Sequence, residues 1–499
     1  MAEATKTIPK KKITATPPAP APAARSPQNY IDERPNWHDG TALSTTPMTT
    51  MQWRIWWLAA AGKFFEGLVV FMTGVALPLV ADEFNITKAQ HGMVGAASLA
   101  GILVGAIALG SLSDYFGRKR MFVLEMFVFL AFLVLVVFSP NFVWLVACLF
   151  GLGLALGCDY PTAHLMISES IPSSVRGRSV LAAFGFQALG ALTGTVVGYL
   201  VLKNSHEMGA WRWMYATAII PAALVTIWRF KVTESATWLL HRGRHANAEA
   251  AIRRLLARHP QYPHVVRLAD KPGHQRSRGT YLDLFKGKNL RATVFASVPW
   301  FLQDLGTYGI GIFTPTILAA TLGHKTAHIR SVADLMNNDM LAAKGSAMID
   351  LLLIVGILAA VSLADRLGRI RLQVIGFIGC AIGLFIASLS ASTSGGAQTA
   401  LIFIGFMLFN FMTNMGPNAQ TYLLAGEVFP TRIRAQGAGF SAAFAKIGAV
   451  TTAFLFPVLL ADIGTRTLLY ILVCTSLFGA LVTWSLRIET NGVDLDTVD

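Results

Sequence analysis

GSLSDYFGRKR at residues 110–120 returns as VSLADRLGRIR at residues 361–371. Asp114, Gly117, Arg118 and Arg120 recur as Asp365, Gly368, Arg369 and Arg371, each 251 residues on (365 − 114, 368 − 117, 369 − 118, 371 − 120). A second pair follows in the same order. SESIPSSVR (168–176) and GEVFPTRIR (426–434) match Glu169 with Glu427, Pro172 with Pro430 and Arg176 with Arg434, each 258 residues apart (427 − 169, 430 − 172, 434 − 176). Two repeats at nearly one offset imply a duplicated unit.

The sequence around these loops is apolar. Of 499 residues 54% are hydrophobic and 14% charged, with a mean hydropathy of +0.53; soluble domains carry about a quarter charged residues. Apolar stretches of about 20 residues have the length that crosses a bilayer. Twelve spans are expected, near 54–80, 91–113, 120–138, 142–168, 179–202, 211–230, 291–320, 341–364, 370–390, 398–426, 436–460 and 465–487. The expected fold class is an all-α membrane protein, its twelve transmembrane helices in two six-helix pseudo-symmetric halves. That is the plan of a secondary transporter whose repeats rock about a site at the midplane.

The net charge of +14 is concentrated: from Arg229 to Arg291, 14 Lys and Arg stand against 4 Asp and Glu, or +10. Basic residues beside membrane spans mark the cytosolic side, which argues against nucleic acid as a partner. The expected organisation is a disordered cytosolic tail (1–50), a six-helix half (51–231), a basic cytosolic linker (232–290), a second half (291–488) and a short cytosolic tail (489–499). Both termini then lie inside, on a multi-pass protein of the cell (inner) membrane. Cys148, Cys158, Cys380 and Cys474 lack disulfide or zinc spacing. No metal cluster, nucleophile–base pair or phosphate-gripping loop is found, so neither a cofactor nor an enzyme activity is expected.

Charges inside the spans point to a site. Lys63, Glu66, Glu125, Asp159, Asp304, Asp350 and Lys446 all fall there. At about 1.5 Å per helical residue, Glu66 lies about 18 Å past Arg54 and Asp304 about 20 Å past Arg291. Asp159 lies about 15 Å before Glu169, and Lys446 about 18 Å past Arg434. Against a core of about 30 Å, these four converge near the midplane, with Glu125 in the cytosolic half. Residues so deep require a shared polar cavity and are functional by default. Trp300, Asp304 and Tyr308, spaced i, i+4 and i+8, share one helix face. A carboxylate exposed to each side in turn can carry protons, so proton coupling is expected.

The two Asp-x-x-Gly-Arg loops resemble the signature of the major facilitator superfamily, and the likeness covers all twelve spans. It implies a cytoplasmic gate of Asp114, Gly117, Arg118, Glu169 and Arg176, repeated as Asp365, Arg369, Glu427 and Arg434. WFLQDLGTY (300–308), GCDYPTAHLMISE (157–169), NMGPN (414–418) and AAFAKIG (442–448) resemble the phosphate:H+ symporter family. That resemblance implies substrate contacts from Tyr160, Gln187, Trp300, Asp304, Tyr308, Asn414 (or Asn418) and Lys446. It also implies proton coupling through Glu66, Glu125, Asp159 and Asp304. The chain departs from the pattern with Val69 in place of an acid, Cys158 in place of a glycine, and the added Lys63 and Asp350.

Plainer readings hold elsewhere. Gly190, Gly194 and Gly198 are spaced for close helix packing. His164 reads as a satisfied interior histidine, and residues 233–256 as amphipathic helices at the membrane surface. The expected function is proton-coupled symport of a small anion, inorganic phosphate first, by a monomer. The alternatives are an organic substrate (an aromatic or dicarboxylic acid, or a sugar) and a non-transporting nutrient sensor.

Overall fold

The computed structural model describes residues 24–34, 46–109, 112–205, 207–258, 266–269, 280–322, 332–430 and 433–488. Among the described residues the chain is helical, with no strand beyond one isolated bridge between Arg25 and Leu268. The first half comprises α1 (Thr50–Phe84), α2 (Lys88–Val104, ending in a π-helical turn, Gly105–Leu109), α3 (Arg118–Val137), α4 (Phe142–Ser168), α5 (Ser173–Asn204) and α6 (Ala210–Arg229). The second comprises α7 (Lys288–Leu322), α8 (Val332–Leu367), α9 (Arg369–Leu389) and α10 (Gly395–Met415, broken at Gly416 and resumed as Pro417–Glu427). The helical stretch Arg434–Ser485 turns at Gly464 (φ 76°) into α11 (434–463) and α12 (465–485).

Among the described residues ten helical stretches are long and apolar enough to cross a membrane. One of the ten is the joined α11 and α12, and α7 lies outside them, which gives the expected twelve (10 + 1 + 1). The middle of α7 carries Gln303, Asp304, Thr307 and Tyr308, so the helix that contributes most to the site is also less apolar.

Local signals set the helix ends. The Thr49 side chain accepts from Gln52 N while Gln52 accepts from Thr49 N, a capping box that opens α1. Gly117 (φ 109°) and Gly368 (φ 82°) precede α3 and α9 in a backbone region that other residues rarely adopt. The duplicated loops therefore keep a glycine at the same step.

Packing encloses the middle. The backbones of α1 and α5 meet at Gly190 and Gly194, where a Cβ would overlap Phe64 and Leu68, as the small-residue spacing predicts. The halves touch along α5 with α8 and α2 with α11. On the face away from the linker, Gly74 of α1 lies against the Ile312 carbonyl of α7, and Gly311 lies against the Phe71 ring.

The expected disordered tail needs correction at residues 24–34. Pro27–Asp32 forms a short helix capped by Ser26, with Tyr30 and Ile31 buried. Asp32 accepts from Ser173 N (2.7 Å) and Ser173 Oγ (2.8 Å), so it meets the open amides at the start of α5. One apolar pair and one capping carboxylate hold a segment whose surroundings read as tail. Residues 46–50 of the expected tail lead into and cap α1, and the remainder of that tail at 1–23 and 35–45, with the second tail at 489–499, lies outside the described residues. In the linker, Ala236–His241 and His245–Leu255 are helices, the second burying Ala248, Ile252 and Leu255 on one side.

Candidate functional site

One cavity lies between the halves, lined by side chains of α1, α5, α7, α8, α10 and α11. It takes in Glu66, Gln187, Trp300, Asp304, Tyr308, Asn414 and Lys446 from the sequence reading, together with Lys63, Asn418, Phe184 and Tyr422. The side chain of Tyr160 lies outside what the structure describes. In this conformation the cavity has about 40 Å³ of room, enough for a few waters.

Four charges inside it form one network. Lys446 Nζ lies 3.0 Å from Asp304 Oδ2 and donates to Tyr308 Oη at 2.8 Å. The Tyr308 hydroxyl donates to Glu66 Oε1 at 3.3 Å, and Lys63 Nζ donates to Glu66 Oε2 at 2.7 Å. Gln187 donates to Tyr308 Oη (2.9 Å) and reaches Glu66 Oε1 (3.4 Å). Two ammonium groups thus face two carboxylates, with a phenol and an amide bridging them. Each of the four is at most 7% exposed, and burial on that scale requires such pairing.

Asn414 gives its amide N–H to the Leu353 carbonyl (2.8 Å), and its own oxygen accepts from Asn418 (2.6 Å). The two asparagines, which sequence treats as interchangeable, both line the cavity and are bonded to each other. Toward the linker face the cavity is narrowed by Tyr422, stacked on Phe184 at 4.2 Å and 26° and edge-on to Trp300 at 6.0 Å. His164 Nδ1 and Tyr422 Oη are 2.5 Å apart, a hydrogen bond from α4 to α10 across the halves. His164 is the satisfied interior histidine that was expected.

A second charged cluster lies wholly inside the first half. Arg229 places one guanidinium nitrogen 2.8 Å from Glu125 Oε1 and another 2.6 Å from Asp159 Oδ1, and donates also to the carbonyls of Phe122 (2.7 Å) and Leu58 (3.1 Å). The expected convergence of Asp159 with Glu66, Asp304 and Lys446 is corrected here: Asp159 belongs to the Arg229 cluster. The depth was right, but α4 turns Asp159 toward α3 and α6. It backs onto α1 at Gly62, where a Cβ would overlap its carboxylate, one residue from Lys63.

The loop residues pair within each half. Arg118 lies 3.5 Å from Glu169, which also accepts from Ser235, and Arg369 pairs with Glu427. The duplicated sequence thus makes a duplicated ion pair. Gly117 leads into Lys119, whose backbone N–H donates to Glu234 (2.9 Å). Arg176 donates to Ser173 Oγ (3.2 Å), within its own helix and not to Glu169, and Arg434 donates to the Phe429 carbonyl (3.1 Å). The side chains of Asp114 and Asp365 lie outside what the structure describes.

The family described as sugar (and other) transporter matches residues 49–499. The chain belongs to this transporter family. The inner membrane metabolite transport protein YgcS of Escherichia coli is 30% identical over 91% of the chain and 95% of its own length. Inorganic phosphate transporter 1-6 of Oryza sativa subsp. japonica is 27% identical over 81% and 82%. The solved xylose transporter XylE of E. coli superposes with a TM-score of 0.70 at 18% identity, over 88% of this chain and all of that one. The last likeness establishes the major facilitator fold.

Two buried groups of the transporter stand apart from what the sequence predicted. Arg229 was counted with the basic linker, because an arginine between Trp228 and Phe230 at a helix end looks like an interfacial anchor. The available signal was the excess of five acids over two lysines inside the spans, which calls for another cation. Asp350 of α8 faces neither cluster: its Oδ1 accepts from Asn410 at 3.1 Å, and no hydrogen bond reaches Oδ2.

Proposed function

We propose that this transporter carries a small monovalent anion together with one proton, by alternating access of the cavity between its halves. The observation that carries the reading is the balanced count of two lysines and two carboxylates. With all four ionised the cavity is neutral and has no charge to offer an anion. A proton delivered to Glu66 or Asp304 releases its lysine and leaves +1, which suits one monoanion. Proton and anion then bind together and leave together. An uncompensated charge is costly in a low-dielectric site, so the cavity changes sides when empty or when carrying both.

In this reading Gln187, Trp300, Asp304, Tyr308, Asn414 and Lys446 contact the substrate, and family resemblance adds Tyr160. Asp304 and Glu66 exchange the proton in the cavity. Glu125 and Asp159, with two negative charges against Arg229, form a relay behind α1 that delivers it. The pairs Arg118–Glu169 and Arg369–Glu427, with their glycine turns, brace the loops about which the halves rock. The +10 linker marks the cytosolic face of the cell membrane, which puts both termini inside. One chain supplies every side of the cavity, so a monomer suffices.

Both inorganic phosphate, as its monoanion, and an organic acid meet the charge requirement. The test is uptake of labelled phosphate and labelled organic acids into proteoliposomes, over protein-free vesicles, with an inward proton gradient. The reading predicts uptake that collapses with a protonophore. Asp304→Asn, which removes the nearer of the two carboxylates that face Lys446 and leaves Glu66 at 3.9 Å, should lower uptake at least about tenfold while the protein stays folded. Uptake indifferent to the gradient, with Asp304→Asn fully active, contradicts it.

A further inference from the structure

We infer that the anion carried is a planar aromatic monocarboxylate. The inference rests on the anion–proton reading above and assigns its substrate class. The charged groups take up one end of the cavity and are bonded to one another. Toward the linker face the lining is different: the rings of Phe184, Trp300 and Tyr422, with the aliphatic Ile357 and Leu181. A compact oxyanion would leave this apolar surface unused, whereas a substrate with a flat body and one charged end uses both.

The rings form a slot. Phe184 belongs to the first half and Tyr422 to the second, and they stack face to face at 4.2 Å and 26°. This stack spans the seam along which the halves part, so a separation of a few ångströms turns it into a gap bounded by two ring faces. Trp300 stands edge-on to Tyr422 at 87° and closes one side. A planar ring entering there replaces the stack and keeps its aromatic contacts.

Lys63, the cation absent from the phosphate-symporter pattern, fixes the other end. Its ammonium sits 4.7 Å from the centroid of the Phe184 ring and 2.7 Å from Glu66. Positive charge therefore lies beside the ring face. When the proton reaches Glu66, Lys63 is released to bind a carboxylate joined to a ring stacked on Phe184. A single carboxylate satisfies the +1 of the protonated cavity, and a dicarboxylate would exceed it.

The test compares binding of benzoate, cyclohexanecarboxylate, inorganic phosphate and xylose to the purified full-length protein in lipid nanodiscs, by calorimetry. Benzoate and cyclohexanecarboxylate share charge and approximate size and differ in planarity. Benzoate should bind about three- to tenfold tighter. Phe184→Leu should bring that ratio close to one, whereas a merely structural loss would weaken both acids alike and leave the ratio as in the wild type. Equal wild-type affinities for the two acids, or binding of phosphate alone, overturn the aromatic class and leave the anion–proton reading standing. Binding of xylose with no anion bound overturns both.

Discussion

Arg229 holds together four segments through one guanidinium, reaching carboxylates on α3 and α4 and backbone carbonyls on α1 and α3. Its Cζ lies 3.6 Å from the centroid of the Phe122 ring, and the side chain is fully buried. Removing one partner of a buried ion pair leaves the other charges uncompensated, at a cost of roughly 3–5 kcal/mol. Arg229→Met should therefore lower the thermal unfolding temperature of the purified protein clearly, and adding Glu125→Gln should restore part of the loss. An unchanged unfolding temperature in the single variant would remove the cluster from the stability of the fold. At this scale sequence was legible for residues with a pattern around them. Asp304, between Trp300 and Tyr308 on one helix face, announced a polar cavity. Arg229 did not, because its meaning lies in partners about 70 and 104 residues away in the chain.

The elements that close the cavity are α1 with α7 on one face and α4, α5 and α10 on the other. On the linker face closure depends on Tyr422, which stacks on Phe184 and bonds His164. Tyr422→Phe keeps the ring and loses the bond. A neutral hydrogen bond contributes about 0.5–1.5 kcal/mol, so the population open toward the linker should rise about two- to tenfold. Pulsed electron resonance between spin labels at the exposed Arg178 and Arg366, with exposed Cys474 changed to serine, would read this as a longer distance. An unmoved distribution would mean that Tyr422 packs without gating. Helix existence and order were legible, since apolar length and paired loops specify them. The docking of residues 24–34 was not, because it rests on Asp32 meeting the amides of a helix 141 residues on. Nor did the sequence reveal that Arg176 would stay within its own helix.

The whole molecule is two copies of one plan with different chemistry in each. Both halves keep the glycine turn and the loop ion pair, Arg118 with Glu169 and Arg369 with Glu427. The buried Arg229 cluster lies in the first half, and Lys446 and Asp304 lie in the second. The duplicated motifs made the architecture legible, whereas the division of buried charge into two separate clusters needed helix rotations that sequence does not carry. The charged groups of the two halves are joined by the chain from Lys63 through Glu66 and Tyr308 to Lys446 and Asp304, neutral when all its charges are ionised. The most direct test is to count the protons taken up as an anion binds. Calorimetric titration of the purified protein at about pH 6, where benzoate and phosphate are both monoanions, is run with benzoate or, if that does not bind, phosphate, in two buffers of unlike ionisation enthalpy. The account predicts about one proton taken up per anion bound. Binding with no proton uptake would contradict it, because the cavity would then accept a negative charge without first gaining a positive one.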